Sequence, residues 1–247
     1  MPMGGVAYWK RTLLYVNIDS IATLRETRGE EESDPVQGAL ICERAGCDGI
    51  SVSLGRGDLG LREGEIFAVK EAIRGIFNLE IPLSDELTNL VQKIKPASVT
   101  IVPEGRGEAV EPGGLKISAH QEKIKETVNL FKDQGISVSL LVDPDPEAVQ
   151  LVCDCEADSV ELCTGAYGRA LDEKVMESEL NRIYQAANAA AHVGIKANAG
   201  HGLTYRNIEP VLDARGILRV TVGNAVLSRA ASVGLAKAVD ELCAILE

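Results

Sequence analysis

Aromatic residues are scarce, with three Phe, five Tyr and one Trp making 4% of the 247 residues. Basic residues are in deficit as well, 25 Lys and Arg against 37 Asp and Glu, for a formal net charge of −12. A nucleic-acid binder needs a basic footprint and stacking rings, so these two shortages exclude that class. No apolar run approaches the ~20 residues of a membrane span. Near the start, Lys10 and Arg11 precede LLYV, but Asn17 and Asp19 end that run too early for a secretory signal peptide, and the expectation is a cytoplasmic protein with no membrane partner. Histidines number only three, and the six cysteines form no C-x-x-C and have no His-x-His or His-x₃-His to accompany them. Cys153 and Cys155, the one close pair, fall on different faces of a helix, so the cysteines read as reduced, mostly buried thiols and no metal site is expected.

What is present is ordinary globular material, 45% hydrophobic and 25% charged. Apolar strand-type runs are predicted at 13–18, 49–54, 76–81, 98–102, 136–142, 159–163, 195–199 and 218–222. Helix-type amphipathic stretches lie between them at 63–73, 84–94, 119–133, 173–193 and 224–246, with Ser84 as a start signal and Gly135 and Gly194 as stops. Eight strands alternating with helices over this length predict an α/β fold, the (β/α)₈ TIM barrel with an eight-stranded parallel core. A doubly wound open sheet is the fold alternative and usually has fewer strands. No linker or repeat divides the chain, so residues 1–247 are read as one domain, with 1–11 an N-terminal extension and 104–114 (EGRGEAVEPGG) a lid loop.

In a barrel, chemistry gathers at the C-terminal ends of strands. Asn17 and Asp19 end the first predicted strand, Glu80 the third and Asp143 the fifth, while Glu161 lies in the sixth. Glu104 and Asp143 are equally well explained as capping or solvated loop groups. Glu80, between Leu79 and Ile81, needs a partner or a purpose in a buried strand. The segments Asn198-Ala-Gly-His-Gly202 and Gly223-Asn-Ala225 follow strands seven and eight, where barrels often hold a phosphate on backbone N–H groups and a helix N-terminus, here with Arg28 as a nearby cation. Of the histidines, His201 lies in that loop and is the candidate general acid, whereas His120 and His192 read as surface residues on helices. Lys196 shares the parity of Asn198, and is expected to fill the lower barrel more readily than to form a Schiff base.

At these motifs the sequence resembles the pyridoxine 5′-phosphate synthase family. The resemblance is carried by VNIDSIATLRETRG (16–29), DPVQGALICERAGCDGISV (34–52), NLEI (78–81), VPE (102–104), GGL (113–115), ELCTG (161–165), KANAGHGLTY (196–205) and VGNAVLSRA (222–230). It is colinear and nearly full-length. It implies a (β/α)₈ barrel assembled as a homo-oligomer, an octamer in the family, that uses no organic cofactor. The implied reaction condenses 3-amino-2-oxopropyl phosphate with 1-deoxy-D-xylulose 5-phosphate through an imine, releasing inorganic phosphate and water.

Carried over one residue at a time, the resemblance places the amino-ketone phosphate on Asn17, Arg28, Gly202 and Gly223, with Asn224 where the family has a histidine. It makes Glu80 the base, His201 the acid and Glu161 the group that stabilises the transition state. The partner half departs from the pattern. Ser20 follows the retained Asp19 where the family has histidine, Ser53 replaces the strand-two histidine, Gly55 an arginine and Cys163 another histidine, while further family positions fall near Gly60 and Val110. Arg56 is the cation left in that region. The leading expectation is therefore an enzyme that keeps the amino-ketone phosphate half-site and takes a second carbonyl compound smaller or less charged than deoxyxylulose phosphate. Genuine pyridoxine 5′-phosphate synthase activity and a non-catalytic phosphate-binding barrel are the alternatives.

Overall fold

The computed structural model describes residues 11–28, 33–54, 60–104 and 113–247, with residues 26–28 described by their backbone alone. Strand β1 (Leu13–Asn17) leads to α1 (Asp19–Arg28) and α2 (Pro35–Arg44), followed by β2 (Gly49–Ser53), α3 (Glu63–Ala72), β3 (Ile76–Pro82), α4 (Asp85–Ile94) and β4 (Ser98–Val102). The second half runs α5 (Ile117–Lys132), β5 (Ser137–Val142), α6 (Pro146–Asp154), β6 (Ser159–Cys163), α7 (Gly165–Arg169), α8 (Glu173–Val193), β7 (Lys196–Gly200), α9 (Ile208–Leu212), β8 (Ile217–Val222), α10 (Asn224–Val233) and α11 (Leu235–Leu246). The strands pair in parallel in chain order and β8 closes on β1, giving a (β/α)₈ barrel.

Local chemistry explains where these elements start and stop. Asp34, Asp145 and Asp172 cap α2, α6 and α8 by accepting from backbone N–H groups of the first turn, and Pro35 and Pro146 open two of those helices with the φ a first turn requires. Ser84 precedes α4 and Gly194 ends α8 in the left-handed region at φ 79°, as the sequence signals predict.

The barrel wall sorts side chains by parity. Leu14, Val16, Ile50, Val52, Leu79, Ile81, Val99, Ile101, Val160, Leu162, Val220 and Val222 are buried in the apolar core that the helices complete. The alternate residues touch one another through the interior: Thr100 of β4 reaches Glu161 of β6, and Glu161 reaches Arg219 of β8. Strands that are not neighbours in a closed barrel can meet only across its lumen. Barrel interiors are usually filled by branched apolar residues. Here the lumen holds Ser51, Asn78, Thr100, Ser139, Glu161, Asn198, Arg219 and Thr221, all buried.

Three expectations are corrected. Lys196 is exposed at the start of β7 and does not fill the barrel. The helix predicted over 224–246 is two helices, because Gly234 adopts φ 83° and ψ 153°, a conformation outside any helix. Helices α1, α2, α6, α7 and α9 were not among the predicted stretches; α7 and α9 span five residues each, too brief for a clear amphipathic repeat. The cysteines are free thiols, with Cys42, Cys47, Cys155 and Cys163 buried. His120 and His192 are exposed, as expected. No described helix is long and apolar enough to cross a membrane.

Candidate active site at the barrel mouth

The ends of β1, β2 and β3 bring two carboxylates into one hydrogen-bonded cluster. Asn17 Nδ2 donates to Asp19 Oδ2 at 2.9 Å and lies 3.4 Å from Glu80 Oε1, while Asn17 Oδ1 accepts from the Asp19 N–H at 3.0 Å. Ser53 serves both acids, its N–H donating to Asp19 Oδ1 at 2.9 Å and its hydroxyl to Glu80 Oε2 at 3.1 Å. Below them the Ser51 hydroxyl donates to Glu80 Oε1 at 2.8 Å and accepts from Asn78 Nδ2 at 2.9 Å. Asp19 is fully buried. Burial pushes its carboxyl above the ordinary range and the charge of Glu80 adds to this, against the bonds from Ser53 and Asn17. Asp19 thus holds a proton more readily than an ordinary aspartate, beside a glutamate oriented by three donors.

The loop after β8 adjoins this cluster, and the loop after β7 packs on the segment after β6. Gly223 lies against Asn17, where an added Cβ would stand 3.2 Å from the Asn17 Cβ, and it leads into α10 with Asn224 at its first position. Ser20 Oγ donates to Asn224 Oδ1 at 2.6 Å, so two positions at which the family resemblance has histidines form one neutral contact. On the other loop His201 takes φ 67°, a left-handed conformation costly for a residue with a Cβ. The Thr164 hydroxyl holds it there, 2.9 Å from the Gly200 carbonyl and 2.5 Å from the His201 carbonyl, and Asn207 Nδ2 donates to the next carbonyl, that of Gly202, at 3.0 Å. The Gly202 carbonyl packs so closely on Gly168 that no side chain could stand at 168.

Glu161 sits deeper. Its Oε2 receives Arg219 Nη2 at 2.5 Å and Thr100 Oγ1 at 3.5 Å, and the Arg219 guanidinium lies over the Tyr15 ring, 4.6 Å from its centroid. Thr100 Oγ1 is also 3.4 Å from Asn78 Oδ1, so a polar chain of Ser51, Asn78 and Thr100 links Glu80 to Glu161 through the lumen.

The structure therefore gathers Asn17, Asp19, Ser53, Glu80 and Gly223 in one place, with Ser20 and Asn224 beside them and Glu161 below. The exposed His201 ring makes no hydrogen bond to either carboxylate among the described residues. Arg56, Gly55, Val110 and residues 105–112 of the expected lid lie outside the described residues, as do the Arg28 side chain and residues 1–10 of the expected extension. Of the other acids, Asp143, just after β5, fastens the segment that leads into α5, accepting from Gly114 N at 2.8 Å and Lys116 Nζ at 3.2 Å, and Glu104 is exposed. Cys163, at the mouth end of β6, has its thiol pushed up by burial and is a neutral group there.

Sequence reasoning missed Ser51, Asn78, Thr100, Arg219 and Tyr15. Their signal was parity: each lies two or four residues from a candidate on its own strand, or at the matching register on another. Ser51 precedes Ser53, Asn78 precedes Glu80, and Tyr15 precedes Asn17.

The sequence profile described as "Pyridoxal phosphate biosynthesis protein PdxJ" matches residues 14–247. The chain belongs to the PdxJ family. Its relatives in that family include the pyridoxine 5′-phosphate synthase of Photobacterium profundum, 42% identical over 230 residues, covering 93% of this chain and 95% of that protein. Another, from Chlorobium phaeobacteroides, is 40% identical over 234 residues, covering 95% and 99%. PdxJ proteins with that name are enzymes, so this is a member of an enzyme family. Solved barrels share the fold alone. A Pyrococcus furiosus thiamine phosphate pyrophosphorylase superposes with TM-score 0.61 at 16% identity, covering 94% of each chain. The tryptophan synthase A-subunit of the same organism gives 0.62 at 13% identity, covering 95% of this PdxJ-family chain and 98% of that one.

Proposed function

We propose that this protein condenses an amino-ketone phosphate of the 3-amino-2-oxopropyl phosphate type with a second carbonyl compound, other than 1-deoxy-D-xylulose 5-phosphate, to form an N-heterocycle without an organic cofactor. The observation that carries this reading is the cluster of Asn17, Asp19, Ser53 and Glu80. Glu80, Glu161 and His201 are all kept, while the neutral Ser20, Ser53 and Cys163 stand where the family resemblance has histidines on the partner side. A doubly charged phosphate is held by cations and backbone amides, each charge-assisted bond contributing about 1.5–3 kcal/mol. Neutral hydroxyls and a buried thiol favour a less charged partner.

The amino-ketone phosphate rests its anion on the backbone around Gly202 and Gly223 at the start of α10, with Asn17 and Arg28 beside it. Its amine attacks the partner carbonyl carbon; a C–N bond forms, the carbonyl oxygen leaves as water, and an imine remains. Glu80 takes the carbon-bound proton that the imine acidifies, His201 supplies a proton to a departing oxygen, and Glu161 faces the cationic imine. The small phosphorylated substrate is the molecular partner, and inorganic phosphate is a ligand of the same half-site, in a homo-oligomer of the kind the family forms.

A second reading, 1-deoxy-D-xylulose 5-phosphate as the true partner, is favoured by the 42% identity to a protein named pyridoxine 5′-phosphate synthase over nearly the whole chain. Mass spectrometry of the purified protein incubated with 3-amino-2-oxopropyl phosphate, plus either deoxyxylulose phosphate or unphosphorylated hydroxy-ketones, separates the two, with phosphate release followed in parallel. A heterocyclic product only with the less charged partner supports the proposal. Pyridoxine 5′-phosphate at a useful rate establishes the second reading, and full turnover by Glu80→Gln removes Glu80 from the mechanism.

A further inference from the structure

Arg219 stands outside the mechanism just given, yet it is the basic side chain buried in the lumen, 8% exposed and paired with a glutamate that is 1% exposed. Two features make the pairing more than charge neutralisation. First, it is one-sided. Arg219 Nη2 occupies Glu161 Oε2, while Glu161 Oε1 is buried without a hydrogen-bond partner among the described residues. A buried carboxylate oxygen is normally satisfied, so an orphan marks a place kept for another group. Second, the orphan oxygen is aimed. Glu161 and Asn198 are in register, Asn198 is in register with Arg219, and Gly200 lies one inward position nearer the mouth, in register with Thr221. The space beside Gly200, which any Cβ would fill, is taken by Glu161 Oε1. One oxygen is therefore drawn to the guanidinium and the other is presented toward the mouth beside Thr221, whose hydroxyl is also buried without a partner.

The guanidinium itself stands over the Tyr15 ring, 4.6 Å from its centroid, and Arg219 Nε likewise has no hydrogen-bond partner among the described residues. The ring gives the arginine a plane to lie on, and a planar fork on a flat face sets direction where a lysine ammonium would not.

We propose that Arg219, seated on Tyr15, is a positioning residue that turns Glu161 so that its free Oε1 faces the cationic nitrogen of the bound intermediate. The proposal rests on the condensing function proposed above for Glu161. Arg219 touches no substrate; it acts through the carboxylate, whose orientation is set before substrate arrives, the condition under which a fixed charge contributes most to a transition state.

The test uses the full chain, with Arg219→Lys, Glu161→Gln, and the charge-balanced double variant Arg219→Met with Glu161→Gln, which avoids stranding a buried charge. With the substrates that give turnover, Arg219→Lys lowers kcat by about 10–10²-fold and leaves KM for 3-amino-2-oxopropyl phosphate within about twofold. Adding Arg219→Met to Glu161→Gln produces no further fall in kcat, because the residue through which it acts is already gone. Unchanged kcat in Arg219→Lys, or an additional loss in the double variant, overturns the proposal. A second readout is independent of turnover. In protein carrying ¹³C at the glutamate Cδ, the resonance lost in Glu161→Gln identifies Glu161, and it moves in Arg219→Lys. Movement without turnover in the wild-type protein would leave the positioning standing and remove the condensing function; an unmoved resonance overturns the positioning in either case.

Discussion

At Ser53 one residue gives its amide proton to Asp19 and its hydroxyl proton to Glu80, so the two acids share a single support. The raised Asp19 carboxyl has a consequence for stability. A group whose folded-state pKa lies above its unfolded value contributes stability that is fully present below the unfolded value and is lost as pH rises through the folded one. An asparagine at 19 has no proton to lose. The stability of Asp19→Asn relative to the wild-type chain therefore rises between about pH 4 and about pH 8. Thermal unfolding at the two pH values checks this, and an equal difference at both would mean that Asp19 carries no penalised charge. Glu80 and Glu161 were legible in the sequence because a carboxylate inside an apolar strand is conspicuous. Arg219 was not: in ILRVTV it reads as an ordinary surface residue, and only barrel closure puts it opposite Glu161.

Among the elements, β4 and β6 match their predicted spans and the other strands differ by one residue at one end, or at both ends for β7, because each carries an apolar face that must meet helices. The failures have local causes. The break between α10 and α11 turns on Gly234, whose φ 83° and ψ 153° belong to a region that only glycine occupies cheaply. Sequence periodicity runs straight through it, since both helices keep apolar residues toward the barrel. Replacing Gly234 by alanine adds no collision, because nothing lies within 4 Å of the new Cβ, so the loss is that of the backbone alone. The expected cost is about 1–3 kcal/mol, or a melting temperature lower by about 2–12 °C for a chain of this size. Calorimetry of Gly234→Ala measures it, and an unchanged melting temperature would show that the two helices can rejoin as one.

For the molecule as a whole, closure depends on strands from opposite ends of the described chain. Leu13, Leu14, Tyr15 and Val16 pair with Arg219, Val220, Thr221 and Val222. A chain ending before β8 would leave β1 and β7 as two open edges and strip Arg219 from Glu161. Unpaired edges template association, and breaking a buried ion pair costs about 3–5 kcal/mol. Such a truncated chain is expected to sediment as aggregate and to bind a hydrophobic dye, whereas the intact chain does neither; a well-dispersed, cooperatively melting truncation would show that closure is dispensable. The segregation of the wall, apolar residues outward to the helices and polar residues inward to the lumen, also reaches beyond folding. The outward set packs against the helices and the inward set carries the polar groups of the candidate site, and the two occupy alternate positions on the same strands. Selection can then alter one set while hardly disturbing the other. A lineage could exchange histidines for Ser53 and Cys163 and keep a folded ancestor at every step, so this architecture separates the inheritance of shape from the inheritance of chemistry.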